Sequence, residues 1–382
     1  MELKERFLNL PVSINNYYGD PVLQWNNTMQ KIERLIKDKH NGIISLLTRG
    51  LITESKAKDL ASLKYKKLVI IPPISHLKKI EIQNHEDRYK TIENCLKFGI
   101  KVVPNIRPLM LGQNDNYIDY IFNRLKNIGI KTVICSGIRG NDDILLNANI
   151  SKEQLEQYCL RVKIIPKGVG NKLEEASQKS GIIVSKRVSC GVALELNEIS
   201  HNPYWKSPQL AGCYTCPLKN KCFNKMIEKQ EVPKEMEKFL NNLGYKWERV
   251  ETFSHCNVQS EKRLECLSCC TACYIHGNNT IFIYNNKISL GTLSFLRFLF
   301  QEFTFTYTGI KDIGAKDTSV VYIPKLPDII PEAINTWYVL ARQLKKCFGC
   351  SYCIVDVYHP KQKEHGIYPI DLYNKINQFV ED

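Results

Sequence analysis

Between residues 11 and 145, short apolar runs alternate with amphipathic stretches. Val12–Asn15 reads as a short strand, and Leu23–Lys37, with apolar residues at helical spacing, as a helix. Gly42–Leu47 follows as a buried strand ending in Thr48-Arg49-Gly50, then Glu54–Leu63 as a helix. Leu68–Ile71 reads as a strand, and His85–Phe98 as a helix behind the cap-like Asn84. Lys101–Ile106 (strand), Asn116–Asn127 (helix) and Lys131–Cys135 (strand) complete the series. Five apolar strands with four intervening helices predict a parallel sheet or barrel covered by helices.

From about Ser151 the alternation degrades. Lys152–Leu160 reads as a helix, Val162–Ile165 as a short strand, and a second helix lies around Leu173–Lys179. Gly181–Val188 then leads into a group of cysteines. Pro233–Leu243 reads as a helix opening a smaller module. That module continues through a strand at Thr280–Tyr284, a turn at Asn285-Asn286 and an aromatic helix from Leu290 to Phe303. Four segments result: 1–150, 151–230, 231–334 and 335–382.

In sheets or barrels of this kind the chemistry sits at the C-terminal strand ends. The polar clusters fall there. Tyr18-Gly19-Asp20-Pro21 follows the first strand and Thr48-Arg49-Gly50 the second. Ser75-His76 follows the third, Arg107-Pro108 the fourth, and Ser136-Gly137-Ile138-Arg139 the fifth. One such cluster is ordinary turn chemistry; five in register mark a face.

Composition changes this picture in two ways. Hydrophobic residues make up 43% and charged residues 24%, which excludes wholesale disorder. No apolar stretch approaches the ~20 residues of a membrane-spanning helix, and the acid-containing N-terminus is unlike a secretory signal, so a cytoplasmic chain with no membrane partner is expected. Formal net charge is +14, from 53 Lys and Arg against 39 Asp and Glu, which favours a polyanionic partner such as nucleic acid.

The second change is the 15 cysteines, in a cytosolic chain more readily metal ligands than disulfides. Cys95, Cys135 and Cys159 stand alone and read as small buried hydrophobes. The other twelve fall in three groups: Cys190 with Cys213, Cys216 and Cys222; Cys256 with Cys266, Cys269, Cys270 and Cys273; and Cys347, Cys350 and Cys353. Each group contains a C-x2-C pair, a spacing that lets two thiolates converge on zinc or on an iron–sulfur cluster without choosing between them.

Cys347-Phe348-Gly349-Cys350-Ser351-Tyr352-Cys353, with an aromatic before its last cysteine, resembles the cluster loop of radical S-adenosylmethionine (radical SAM) enzymes. In that family three cysteines hold a 4Fe-4S cluster and leave one iron open to SAM. The usual spacing is C-x3-C-x2-C, near the N-terminus after the first barrel strand; here it is C-x2-C-x2-C near the C-terminal end. The N-terminal half accounts for the displacement. Tyr18-Gly19-Asp20-Pro21 resembles the family's Gly-Gly-Glu-Pro motif after its second strand, which holds the SAM amino group. Ile44 to Gly50 resembles its third strand and Thr-Asn-Gly turn. Arg107 and Ser136-Gly137-Ile138 match positions that contact SAM.

The resemblance implies a circularly permuted α/β fold, a partial parallel (β/α)6 TIM-like barrel with a cysteine-rich insertion. It covers roughly half the chain, residues 11–145 and about 335–382. The first barrel strand, the cluster loop and a helix at Asp371–Val380 are then expected, in that order, at the C-terminal end. Cys213-x2-Cys216-x5-Cys222 resembles part of the cysteine run of SPASM-type auxiliary domains, although Met226 stands where a fourth cysteine would be. Cys190 could supply that ligand, for an auxiliary 4Fe-4S cluster or zinc. Cys266, Cys269, Cys270 and Cys273 allow the same two outcomes.

The resemblance further implies SAM as cofactor and an electron donor such as flavodoxin or ferredoxin. It implies reductive cleavage of SAM at the cluster to a 5′-deoxyadenosyl radical that abstracts a substrate hydrogen. Charge leans towards a nucleic acid or nucleotide substrate, the SPASM-like run towards a peptide or protein. A different class also fits the residues: a non-catalytic, zinc-stapled nucleic-acid-binding protein.

Overall fold

The computed structural model describes residues 2–14, 20–77, 84–137, 165, 167–185, 187–199, 216–218, 220–222, 230–242, 244–250, 280–283, 296, 299–300, 302–307, 355–356, 368–371, 373–374 and 377. The five strands expected between residues 11 and 145 form, whereas residues 162–164 of the strand expected at Val162–Ile165 lie outside the described residues. The strands are β1 (Val12–Ile14), β2 (Ile44–Leu47), β3 (Leu68–Ile71), β4 (Pro73–Ile74), β5 (Lys101–Val102), β6 (Asn105–Leu109) and β7 (Thr132–Gly137), followed by β8 (Ile183–Ser185). The helices between them are α2 (Trp25–Lys37), α3 (Glu54–Ser62), α4 (Glu86–Lys97) and α5 (Ile118–Ile128). A short α1 (Leu3–Leu8) precedes them, and α6 (Lys167–Ser180) precedes β8. The expected helix at Lys152–Leu160 lies outside the described residues.

Local chemistry sets the boundaries. The start expected at Leu23 resolves into a 3-10 turn, Pro21–Gln24, whose N-cap Asp20 accepts the Val22 N–H, and α2 begins after it. Thr53 caps α3 through the Lys56 N–H. Gly129 ends α5 at φ 96°, in the left-handed region where glycine carries no Cβ penalty. Helices α1 to α6 bury stripes at helical spacing, as in Thr28, Lys31, Ile32 and Leu35 of α2.

One sheet has the order β12-β1-β2-β3-β5, where β12 is Val355–Asp356; a second has the order β4-β6-β7-β8. All pairings in both are parallel. Only Pro72 separates β3 from β4, and Val103-Pro104 separates β5 from β6. Proline has no N–H to give to a ladder. The carbonyls carry it across instead: Val103 N–H donates to Ile70, Asn105 N–H to Pro72 and Ile134 N–H to Pro104. Strands therefore follow one another across the sheet in sequence order from β1 to β8, with β12 placed beside β1.

The main core lies on the helical side, where Val12, Ile14, Ile44, Leu46, Ile70, Ile106 and Val133 meet Ile32, Leu35, Leu60, Ile92 and Phe122. The other face is covered by α7 (Val188–Leu196), whose Val192 packs with Ile43, Val69, Ile71, Val103 and Ile134. Gly191 lets α7 approach this closely, because a Cβ there would stand 2.5 Å from Ile134 Cγ1. Glu195 pairs with Lys101 and Glu198 with Lys67, so α7 runs towards the N-terminal strand ends.

A smaller sheet has the order β11-β10-β9, with β9 (Trp247–Val250) antiparallel and β11 (Thr304–Tyr307) parallel to β10 (Thr280–Ile283). It follows α8 (Lys234–Asn242), the helix expected at Pro233–Leu243. Buried Arg6 of α1 reaches the residues before β11, bonding the Leu299 carbonyl and pairing with Glu302 under the Phe300 ring. Among the described residues no helix is long and apolar enough to cross a membrane.

Candidate functional site

Five loops leave the C-terminal strand ends, and the first two are tied together. Asp20, half-buried after β1, accepts four hydrogen bonds. Its Oδ1 takes the Val22 N–H (2.9 Å) and the hydroxyl of buried Thr48. Its Oδ2 takes the Arg49 N–H and the Gly50 N–H, the latter at 3.1 Å. A carboxylate has about four acceptor positions, so this one is saturated by the chain's own donors. Gly50 closes the turn: a Cβ there would lie 2.9 Å from Val22 Cβ.

Further along, Ile106 of β6 is registered with Cys135 of β7, and Arg107 and Ser136 follow them, both half-buried. Gly137 is buried and registered with Leu109. Buried Asn114 braces this side, its amide donating to the carbonyls of Ser75 and Pro108 and accepting the Met110 N–H. Asp20 and Thr48 are thus brought into contact, while Arg107, Ser136 and Gly137 share the same sheet end on adjacent strands. Tyr18, Gly19 and Ile138 lie outside the described residues.

Between these two groups stands a cluster that the sequence marked only by Ser75-His76. The buried His76 ring, at φ 51°, forms a 2.9 Å hydrogen bond through Nε2 with the Tyr89 hydroxyl. His85, Tyr117 and Tyr120 surround it. Burial raises the Tyr89 hydroxyl above its usual range. The bidentate Arg124 pair holds the Glu86 carboxyl below its usual range. His85 and Tyr89 come from the start of α4, and Tyr117 and Tyr120 from the start of α5, a spacing that gives no motif, so tertiary structure reveals them.

Of the first cysteine group, Cys190 lies in α7, and Cys216 and Cys222 pack with Leu218 against Ala193 and Leu194 of that helix. None of the three is in a disulfide among the described residues. Cys213 lies outside the described residues, as do Cys266, Cys269, Cys270, Cys273, Cys347, Cys350 and Cys353. Among the described residues no three His, Cys, Asp or Glu side chains group as a metal site. Burial pushes the isolated Cys95 thiol up to about 12, in keeping with a structural role.

The chain order around the third group differs from expectation. The strand paired with β1, Val12 to Val355 and Ser13 to Asp356, begins two residues after Cys353. The expected order put the strand before the heptad. In a parallel pair this brings the chain from the heptad into β12 at its N-terminal end, opposite to Asp20 and Arg107. Comparison with known protein families and with curated proteins finds no match to this chain.

Proposed function

We propose that the chain is a circularly permuted radical SAM enzyme acting on a nucleic acid or nucleotide, built on a partial (β/α)6 barrel. The observation that carries the reading is the parallel pairing of β12 with β1. A strand from the chain's far end takes the place beside the first, and the order then runs on in sequence to β8. The C-terminal segment follows it home: Tyr368 lies under Arg34 of α2, Asp371 pairs with Arg34, and Tyr373 meets Phe7 of α1.

In this reading Cys347, Cys350 and Cys353 would hold the 4Fe-4S cluster, with a flavodoxin- or ferredoxin-type protein as the electron donor. Arg107, Ser136 and Gly137 hold SAM. The donor set fits a cluster with an open iron, since three thiolates leave one position free. When bound together, cluster and SAM supply reductive formation of a 5′-deoxyadenosyl radical. The residues of the chain do the positioning. Arg107 offers a cation to a carboxylate, Asp20 fixes the first two loops, and α7 covers the sheet face opposite the main core. The reading requires Cys353, two residues before β12, to reach the face of Arg107 and Ser136, and the direction of β12 opposes this.

The chain order before β12 and the saturation of Asp20 favour a second reading, a zinc-stapled nucleic-acid-binding scaffold. Metal and acid-labile sulfide analysis of anaerobically purified protein separates the two. Iron and sulfide in a brown protein support the enzyme; colourless protein with stoichiometric zinc rejects it.

A further inference from the structure

Among the described residues the large hydrophobic side chains left exposed are Leu23, Tyr117 and Tyr120. The two tyrosines converge on one imidazole. Tyr117 lies nearly parallel to His76, with centroids 5.4 Å apart and planes at 19°. His85 stacks on the same ring at 4.7 Å and 10°. Tyr120 meets it edge-on at 5.6 Å and 82°. A lone exposed tyrosine on a helix needs no ligand to explain it. Two against one imidazole, 36% and 49% exposed, are a different matter.

The rings are fixed before any ligand arrives. His76 is bonded to Tyr89, and the Tyr120 hydroxyl accepts from Arg124 at 3.0 Å. Arg124 is held by Glu86 and lies 3.7 Å over the Tyr89 ring. Such preorganisation removes the ordering cost that weakens most aromatic surface contacts. The stack also stands where ligands bind in parallel α/β architectures. His76 follows β4, and both tyrosines follow β6, on the strand-end face of Arg107 and Ser136.

Charge selects the partner. Glu86 and Asp115, acids close by, are neutralised by Arg124 and Lys172, while the whole chain carries +14. Asp119, exposed between the tyrosines in sequence, disfavours a phosphate there. The ring faces, which accept any base, do not. The geometry points to a stacking platform at Tyr117 and Tyr120 for the bases of single-stranded nucleic acid. It rests on the nucleic-acid arm of the function proposed above and is independent of the cluster.

The experiment measures fluorescence-anisotropy binding of a labelled oligothymidylate and of an abasic oligomer with equal length and charge. The wild-type protein binds the oligothymidylate more tightly, and both affinities fall with salt as counterions are released. Tyr117→Ala with Tyr120→Ala lowers oligothymidylate affinity at least tenfold, at roughly tenfold per lost base stack, and leaves abasic binding unchanged. Tyr117→Phe with Tyr120→Phe keeps both rings, giving up the Arg124–Tyr120 bond, and restores most of the affinity, which separates stacking from a folding defect. Equal wild-type affinity for the two oligomers, no binding of either, or an Ala variant that binds like wild type overturns the platform. Iron content and SAM cleavage are read separately, so failure here leaves the cluster assignment standing or falling on its own assay.

Discussion

Replacing Asp20 tests the clamp at the strand ends. Asp20→Ala removes the acceptor for four donors: the Thr48 hydroxyl and the N–H groups of Val22, Arg49 and Gly50. Hydrogen bonds to a charged acceptor are worth about 1.5–3 kcal/mol each when buried and less when water can replace the partner. Thr48 is 1% exposed and takes the full loss, whereas the Arg49 bond is at the surface. The summed destabilisation is about 3–5 kcal/mol. Asp20→Asn behaves differently. Turned so that its oxygen faces Arg49 and Gly50, it points its amide at Thr48 Oγ, which can accept as well as donate. The Val22 N–H is then the main donor left unmet, at a cost of about 1–2 kcal/mol. Urea unfolding followed by circular dichroism gives both values from the midpoint shift. An Ala variant within about 0.5 kcal/mol of wild type, or an Asn variant less stable than Ala, refutes the clamp.

Three further outcomes follow from the packing and the titration. Gly191→Val drives a side chain into Ile134 and Val103, and the overpacking costs about 1–3 kcal/mol; a thermal midpoint equal to wild type would mean α7 does not lie on the sheet. Burial lowers the His40 imidazole from its ordinary 6.5 to about 4. Its contribution is therefore present above about pH 6.5 and is lost as pH falls towards 4, by up to roughly 3 kcal/mol. His40→Phe should flatten that part of the stability–pH curve, and an unchanged slope would assign the acid sensitivity elsewhere. Arg6→Ala leaves Glu302 without its partner and should cost about 3 kcal/mol, read as a lower midpoint of thermal unfolding; no shift would show that α1 does not anchor the smaller sheet.

The sheet was legible where burial follows a simple period. Leu68–Ile71 is apolar throughout because it is buried on both faces, and the stripe of α2 matches its contacts with the core. The strand expected at Lys101–Ile106 breaks at Pro104 and resumes to Leu109, since the ladder crosses proline through its carbonyl. Helix α7 was hidden for the opposite reason. Its sequence, VSCGVALEL, is apolar on more than one side because the sheet lies against Val192 and the Cys222 segment against Ala193, so no amphipathic period shows. At the site, Asp20 and Thr48 were each visible as loop residues after strands. Their contact across 28 positions of sequence was not, nor was the convergence of Tyr117, Tyr120 and His85 on His76. Those depend on how parallel strands bring distant loops to one edge.

Whether the C-terminal cysteine heptad serves the face opened by β1, β2 and β6 is decided by incubating anaerobically reconstituted, dithionite-reduced protein with SAM and quantifying 5′-deoxyadenosine, for the wild-type chain and for Cys347→Ala, Cys350→Ala and Cys353→Ala combined. The proposed enzyme yields 5′-deoxyadenosine as the wild-type protein and none as the triple variant, which still retains metal at its other cysteines. Product from the triple variant, or none from a wild-type chain loaded with iron and sulfide, contradicts it.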